Sequence, residues 1–477
     1  MEIRSPRFKE NAREALDDAQ LQRALKNVPR GFIDKRNKAK ARLPEFEDLR
    51  DQARDIKNHT LAHLDLYLER YEKKVTAAGG QVHYAATAQE ARDIVLKILK
   101  ERDTKSVTKG KSMVSEEIAL NEAMAEAGIA PVETDLGEYI IQLRGEHPSH
   151  IIAPAVHLNK EQIEADFRAE HTHLPPERQL TEGSQLVGEA RRVLREKFIA
   201  ADAGITGANF LIAETGTSII VTNEGNGDLT QALPGTHIVL ATIEKLVPTL
   251  EDASTILRLL ARSATGQEFS AYTTYSTGPR RPGDPDGPQE YHVVILDNGR
   301  SAMLGTVFQD MLRCIRCGAC LNHCPVYQAV GGHAYGWVYP GPMGAVLTPA
   351  LVGIDKSAHL PNASTFCGRC EEVCPMKIPL PGMMRHWRER EFERHLSPAS
   401  VRWGLQAWAF LATRPALYRG VTWLAARGLK VWSRGRGRSS AVPLAGGWTK
   451  HRDLPAPEGA TFMAQWKARA RKNAGNG

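Results

Sequence analysis

All seven cysteines of the 477-residue chain fall between Cys314 and Cys374, in two runs that share one rhythm. The first reads Cys314-x-x-Cys317-x-x-Cys320-x-x-x-Cys324-Pro325, the second Cys367-x-x-Cys370-x-x-x-Cys374-Pro375. Thiolates two residues apart wrap a tight loop around successive corners of a cubane, and a further cysteine followed by proline turns toward the neighbouring cluster. Crossed ligation of this kind assigns Cys314, Cys317, Cys320 and Cys374 to one 4Fe-4S cluster, and Cys324, Cys367 and Cys370 to a second. Zinc suits the pattern poorly, because its four-thiolate sites usually pair two CxxC motifs a dozen or more residues apart. Disulfides suit it poorly too: the count is odd, and buried structural thiols would not adopt one spacing twice.

The second cluster is one thiolate short. Where a complete motif would place cysteine, three residues before Cys367, the chain has Ser364. A serine alkoxide can ligate iron, but the residue is read here as a turn cap. That leaves the fourth iron to water, to a partner's side chain, or to loss as a three-iron cluster. Arg313, Arg316, Arg369 and Lys377 are expected to raise the cluster potentials, with Glu371 and Glu372 opposing them. The long gap from Cys324 to Cys367 predicts a helical ferredoxin domain, with Tyr335–Pro349 as an elaborated connection.

The rest of the chain divides by composition. Residues 1–45 are polar and basic with little periodicity, and are read as an arm. From Phe46 a helical pattern of apolar residues runs through Leu49, Ala53, Leu64 and Tyr71 to Val75 and stops at Gly79-Gly80. Thr87 and Glu90 have the spacing of a capping box. Strands are predicted at Gln81–Ala85, Ser149–Ala153, Asn209–Ala213, Ser218–Thr222, His237–Ala241 and Tyr291–Leu296. Their alternation with amphipathic helices over residues 46–300 predicts an α/β domain with a largely parallel sheet. A ferredoxin-like domain follows over 301–385 and a basic, Trp-bearing region over 386–477.

Four segments of the α/β part look shaped for a small anion: Lys109–Ser112, Gly207–Asn209, Glu214–Thr217 and Asn223–Asp228. None is a dinucleotide fingerprint or a P-loop, so no nucleotide cofactor is expected. Glu214 is read as a structural turn carboxylate, and His237 as an ordinary histidine at a strand start. Catalytic residues are left unassigned.

From residue 381 onward there are 18 lysines and arginines against 5 acidic residues, although the whole chain is only +7. The mild basicity thus belongs to the C-terminal region, which is expected to be loosely ordered beyond Ser433. No apolar run reaches the roughly 18–20 residues of a membrane span, and the charged N-terminus lacks an apolar signal segment. A cytoplasmic location is expected. The Arg-flanked apolar segments between Val401 and Trp432 are read as lying peripherally on an anionic membrane surface or docking an acidic partner, or else as packing on the ferredoxin domain with their arginines solvated.

Taken together, the seven-cysteine layout, the segment GANFLIAETGTSIIVTNEGNGD (residues 207–228) and the basic Trp-bearing tail resemble the lactate utilization protein B family across nearly the whole chain. The resemblance implies a LUD domain of the isomerase/CoA-transferase-like fold. It also implies an iron–sulfur subunit working with a second iron–sulfur protein and another LUD protein to oxidise lactate to pyruvate. Two other functions compete: a free-standing LUD-domain enzyme with regulatory clusters, and an iron–sulfur sensor whose basic tail binds nucleic acid. Two clusters favour electron transfer, since a sensor needs only one. No nucleic-acid-binding signature supports the sensor.

Overall fold

Short β-branched runs separated by amphipathic helices give the first three hundred residues a set of strands: β1 (Gln81–Ala85), β2 (Ser106–Lys109), β3 (Ala130–Glu133), β4 (Ala203–Gly207), β5 (Phe210–Ile212), β6 (Thr217–Thr222), β7 (Thr236–Thr242), β8 (Leu246–Val247), β9 (Tyr272–Ser276) and β10 (Glu290–Leu296). Six of them pair, all parallel, in the order β1-β10-β7-β4-β2-β3. The central β7 is buried along its whole length, as a parallel strand covered on both faces must be. Ile238 and Leu240 point to one face, where Val95, Leu99, Ile118 and Met124 cover them. Val239 and Ala241 point to the other, against Tyr67, Tyr71 and Val75. Each large aliphatic side chain buried this way contributes about 1.5–3 kcal/mol. Residues 207–228 supply most of a second, four-stranded sheet in the order β8-β5-β6-β9. The computed structural model describes residues 3–433, 436–442, 446–449 and 452–474.

Four expectations need correction. The helix from Phe46 breaks at His63 (φ −129°, ψ 37°) into Phe46–Ala62 and Leu64–Ala77. The break has a packing cause: Phe46, Leu49 and Ala53 join the core of the cysteine region, whereas Leu64, Tyr67 and Tyr71 cover the parallel sheet. One straight helix would present one face. Thr87 does cap its helix, accepting from the Glu90 amide at 3.2 Å, but the Glu90 side chain accepts from the Ala86 amide. Ser149–Ala153 is a turn and not a strand. The His150 Nδ1 accepts from the amides of Ile152 and Ala153, which satisfies the backbone locally and removes any need for a ladder.

The fourth correction concerns residues 1–45, which do not form a loose arm. Helices Phe8–Asp17, Ala19–Leu25 and Asp34–Ala41 lie against the cysteine region. Phe8 meets the Tyr335 ring edge-on at 5.3 Å, Ser5 donates to the Tyr335 carbonyl, and buried Arg36 donates to the Val373 carbonyl at 2.9 Å. The core of the cysteine region is accordingly shared: Phe8, Phe46, Leu257, Phe308, Tyr327 and Met383 belong to one buried cluster. Short helices make up the cysteine region itself: Ala319–Asn322, Pro325–Val330, Gly341–Val352 and Arg369–Glu372, then the longer Leu380–Glu393.

By contact the chain divides into two units, residues 1–391 and 392–477. The second contains helices Ala399–Ala412 and Pro415–Trp432, neither of which buries a side chain. Order continues past Ser433: Arg438–Ser439 pairs with Leu454–Pro455, and Phe462–Ala474 is helical. Of the stretch expected to be loose, residues 434–435, 443–445, 450–451 and 475–477 lie outside the described residues. No helix among the described residues is long and apolar enough to cross a membrane.

Candidate metal centres and an adjoining cavity

The two cysteine runs fold as one loop used twice. In the first, Arg316 adopts φ +59° immediately before Cys317, and Gly318 adopts φ +72° after it before a one-turn helix carries Cys320. In the second, Phe366 (φ +54°) precedes Cys367, and Gly368 (φ +79°) leads into the one-turn helix carrying Cys370. Left-handed conformations at Arg316 and Phe366 cost roughly 1–2 kcal/mol each, a strain that persists only where the surroundings dictate the turn. By this correspondence Ser364 stands where Cys314 stands in the first loop.

Cys314, Cys317, Cys320 and Cys374 line one cavity, together with Ile151, Ile315, Met343 and Ile378. Cys324, Cys367 and Cys370 line another, with Ser364, Phe366 and three prolines. Ser364 Oγ accepts from the Phe366 amide at 3.2 Å, the bond of a turn cap. Burial pushes the Cys317 and Cys370 thiols up to about 12 and the Cys374 thiol up to about 11. Cys320 is raised well above the ordinary thiol range by burial and by its neighbours Cys314, Cys317 and Cys374; Cys370 adds to this from the second group. Amides work against that: Ala319 bonds to Cys317, Tyr327 and Val326 to Cys324, and Ile378 and Met376 to Cys374. Thiolates crowded this closely need positive charge between them. Neither lining contains a carboxylate or histidine among the described residues. Thiol donor sets of this kind, five of the seven cysteines buried and only Cys367 exposed, fit iron–sulfur clusters.

Charge around these loops differs from the sequence expectation. Arg313 is paired with Asp310, Arg369 with Glu372 and Lys377 with Asp51. Arg313 is still electrostatically linked to Cys374 and Arg316 to Cys314, and Lys57 and Lys245, from the α/β part, add positive charge at Cys314. Lys57 Nζ donates to the carbonyls of Glu244 and Leu246, the latter at 3.0 Å, and burial drops its ammonium to about 7. The sequence offered no signal for either lysine, because neither neighbours a cysteine along the chain.

Arg316 joins the cysteine loop to the α/β core. One of its nitrogens donates to Glu244 at 3.2 Å, and its guanidinium lies 4.4 Å from the centre of the Tyr339 ring. Glu244 also pairs with the fully buried Arg300, which forms a bidentate pair with Glu117 at 2.9 and 2.6 Å. Tyr339 closes the circuit by donating to Glu117 at 2.6 Å. Burial alone would raise the Glu244 carboxyl, but Arg300, then Arg316 and Lys245, hold it down at about 2.

Beyond Arg316 lies a larger cavity of about 390 Å³. Its walls come partly from the loops after the C-terminal ends of β2, β3, β4 and β7, the usual ligand edge of a parallel α/β sheet, and partly from β6 and the helix Leu250–Ala264. Three of the four anion-shaped segments reach it, through Gly110–Ser112, Gly207–Asn209, and Asn223, Glu224, Asn226 and Gly227. The fourth does not: a side chain at Gly216 would strike the Val75 amide at 2.6 Å, and Glu214 lies outside the lining. Lys109 is also absent from the lining, being buried in ion pairs with Glu133 (2.6 Å) and Glu116 (3.2 Å). His237 is structural, bonded to Thr206 at 2.8 Å and edge-on to Tyr291. Burial lowers its imidazole to about 3. Arg316 and Ile151 line both this cavity and the first cysteine cavity. Ile151 sits in the turn that had been expected to be a strand.

Comparisons with known proteins give three family matches along the chain. Residues 68–296 match the LUD domain family, residues 310–378 the 4Fe-4S dicluster domain, and residues 384–471 the lactate utilisation protein B C-terminal family. Lactate utilization protein B of Bacillus licheniformis is 43% identical over 478 residues, covering 100% of this chain and 99% of that protein. Its counterpart in Bacillus subtilis is 42% identical over 469 residues, covering 97% and 96%. Among solved structures, a DUF162 family protein from Deinococcus radiodurans covers 49% of this chain and 98% of its own, at 14% identity. Its TM-score of 0.28 is too low to speak to the fold.

Proposed function

The chain belongs to the lactate utilization protein B family, and from that premise we propose that it is the iron–sulfur electron-transfer subunit of a complex oxidising lactate to pyruvate. The observation that carries this reading is the pair of neighbouring cysteine cavities, one with four thiolates and one with three. In it, Cys314, Cys317, Cys320 and Cys374 hold one 4Fe-4S cluster, and Cys324, Cys367 and Cys370 hold the other. Clusters bound there supply one-electron uptake and release. The chain's own residues do the rest. Ile315, Met343 and Ile378 keep water from the first site, amides bonded to sulfur stabilise its thiolates, and Arg316, Lys57 and Lys245 offset their charge.

In this reading the α/β domain has the isomerase/CoA-transferase-like fold. The partners are a second iron–sulfur protein and another LUD protein. The exposed tryptophans and arginines of Ala399–Ala412 and Pro415–Trp432 lie on the anionic inner face of the cell membrane, as amphipathic interfacial helices do. Anaerobically purified protein should contain about seven to eight irons and show two reducible clusters by EPR, the three-thiolate one more sensitive to oxygen. Iron near four, or zinc in its place, overturns the assignment.

A further inference from the structure

The cavity beyond Arg316 holds buried donors that the fold leaves without acceptors. Lys245 is 6% exposed and lines the cavity, yet among the described residues its ammonium makes no hydrogen bond and no ion pair. Arg316 spends one nitrogen on Glu244, while its Nε and Nη1 are buried without a partner. Leaving a charged donor unpaired in a protein interior costs several kcal/mol, so the Lys245 ammonium on this wall marks a place where a ligand supplies the acceptor; the two unpaired Arg316 nitrogens have no open surface toward it.

The remaining lining sets the ligand's character. Lys111 adds a third cation, its Nζ donating to the Ile152 carbonyl at 2.7 Å, 3.9 Å from Glu138. Asp135 and Glu224 add two negative charges, so the charged side chains of the lining sum to about one positive. That balance suits a monoanion and disfavours polyphosphates or dicarboxylates. Ile151, Ile220 and Leu260 give the same cavity an apolar wall, which inorganic phosphate would leave uncovered.

We propose that this cavity binds a small monocarboxylate whose carboxylate is held by Lys245, beside the positive charge of Arg316, and whose carbon skeleton lies against the apolar wall. Because Arg316 also lines the cavity of Cys314, Cys317, Cys320 and Cys374, occupancy is felt at the first cluster. This last clause rests on the cluster reading above; the binding does not.

The test uses the full-length, cluster-loaded protein, with calorimetry against pyruvate, L-lactate, D-lactate and inorganic phosphate, and EPR of the reduced protein with and without each. At least one monocarboxylate should bind at a single site, with phosphate at least about tenfold weaker. Lys245→Met should weaken that binding by about tenfold or more, the loss of one charge-assisted contact. Lys245→Arg, which keeps the positive charge beside Glu244 and Cys314, should restore most of that binding. A lysine kept for structure would instead show a lower melting temperature in Lys245→Met with binding intact, and that result overturns the proposal. So does the absence of binding by all three monocarboxylates in protein that carries both clusters, or tighter binding of phosphate. Binding without any change in the first cluster's EPR signal overturns the coupling through Arg316. If the protein holds no iron, the electron-transfer reading fails, while calorimetry still decides the site.

Discussion

Arg316 occupies a backbone conformation that a side chain adopts only at a cost, and its guanidinium reaches Glu244, Tyr339 and the walls of two cavities. Glu244 is the acceptor that makes this tenable, so its removal leaves Arg300 and Arg316 under-compensated in the interior. Glu244→Gln should therefore destabilise the protein by about 3 kcal/mol, measured by urea unfolding followed by far-UV circular dichroism. The pH dependence has a definite sign. With its folded-state value held at about 2, below the 4.5 of a free glutamate, the carboxylate contributes fully above pH 4.5 and loses that contribution as pH falls toward 2. The gap between wild type and variant should narrow over that window; a gap that widens contradicts the network. Ser364 gives a second residue-level expectation. As a turn cap, Ser364→Ala should leave the iron content unchanged and cost about 1 kcal/mol or less. Ser364→Cys should place an eighth thiolate in the second cavity and slow its loss of iron in air. Iron loss in Ser364→Ala would instead make the serine a ligand. The cysteines and the serine were legible in the sequence because their chemistry is written at fixed spacing. Lys57 and Lys245 were not, because they meet Cys314 only through the parallel sheet and the loop after β7.

At the scale of elements, apolar runs revealed strands, even one covered on both faces, but not a helix that divides between two cores. The parallel strands β1, β7 and β10 read directly from their apolar runs, but the break at His63 answers to two separate cores and leaves no trace in spacing. Residues 149–153 looked like a strand because Ile151 and Ile152 are apolar. They are apolar in order to wall the two cavities, and Tyr327 donates to the Ser149 carbonyl at 2.8 Å to fix the turn. Close approach reinforces it, since a side chain at Gly332 would sit 1.7 Å from that same carbonyl oxygen. The N-terminal helices were missed for a related reason: the polar, basic composition of residues 1–45 read as a loose arm, yet buried Arg36 donates to the Val373 carbonyl. The C-terminal helices are the converse. None of the four buried hydrophobic clusters draws on a residue beyond Trp387, while Trp403, Trp408 and Trp432 are 72%, 62% and 53% exposed. Removing residues 397–477 should thus leave the iron content and visible absorbance unchanged and abolish flotation with anionic lipid vesicles. Cluster loss on truncation would mean that these helices support the cysteine region. Retained flotation would remove them from the membrane reading.

For the whole molecule, the decisive question is whether this chain turns over substrate by itself. Oxidising a 2-hydroxy acid removes two electrons and two protons, which ordinarily requires a hydride or carbanion acceptor such as a flavin or nicotinamide. The sequence carries no dinucleotide fingerprint, and a cluster takes electrons one at a time. The sheet-edge cavity supplies cations and an apolar wall, which bind and orient an anion, but its one neighbouring redox site accepts single electrons. In the proposed reading the two-electron step belongs to a partner, and this chain receives electrons singly and passes them between its two cysteine sites. Purified protein given lactate and an artificial dye should reduce the dye far more slowly alone than when mixed with the two partner proteins. Equal rates would locate the catalytic step in the LUD domain of this chain and end the conduit reading. Cys320→Ser supplies the internal control, since Cys320 is buried in the four-thiolate cavity and distant in sequence from every strand of the α/β sheet. That variant should lose the first cluster's EPR signal and the assembled complex's activity while its far-UV circular dichroism keeps the α/β signature. Activity surviving the loss of that cluster would show that electrons take a path that bypasses it.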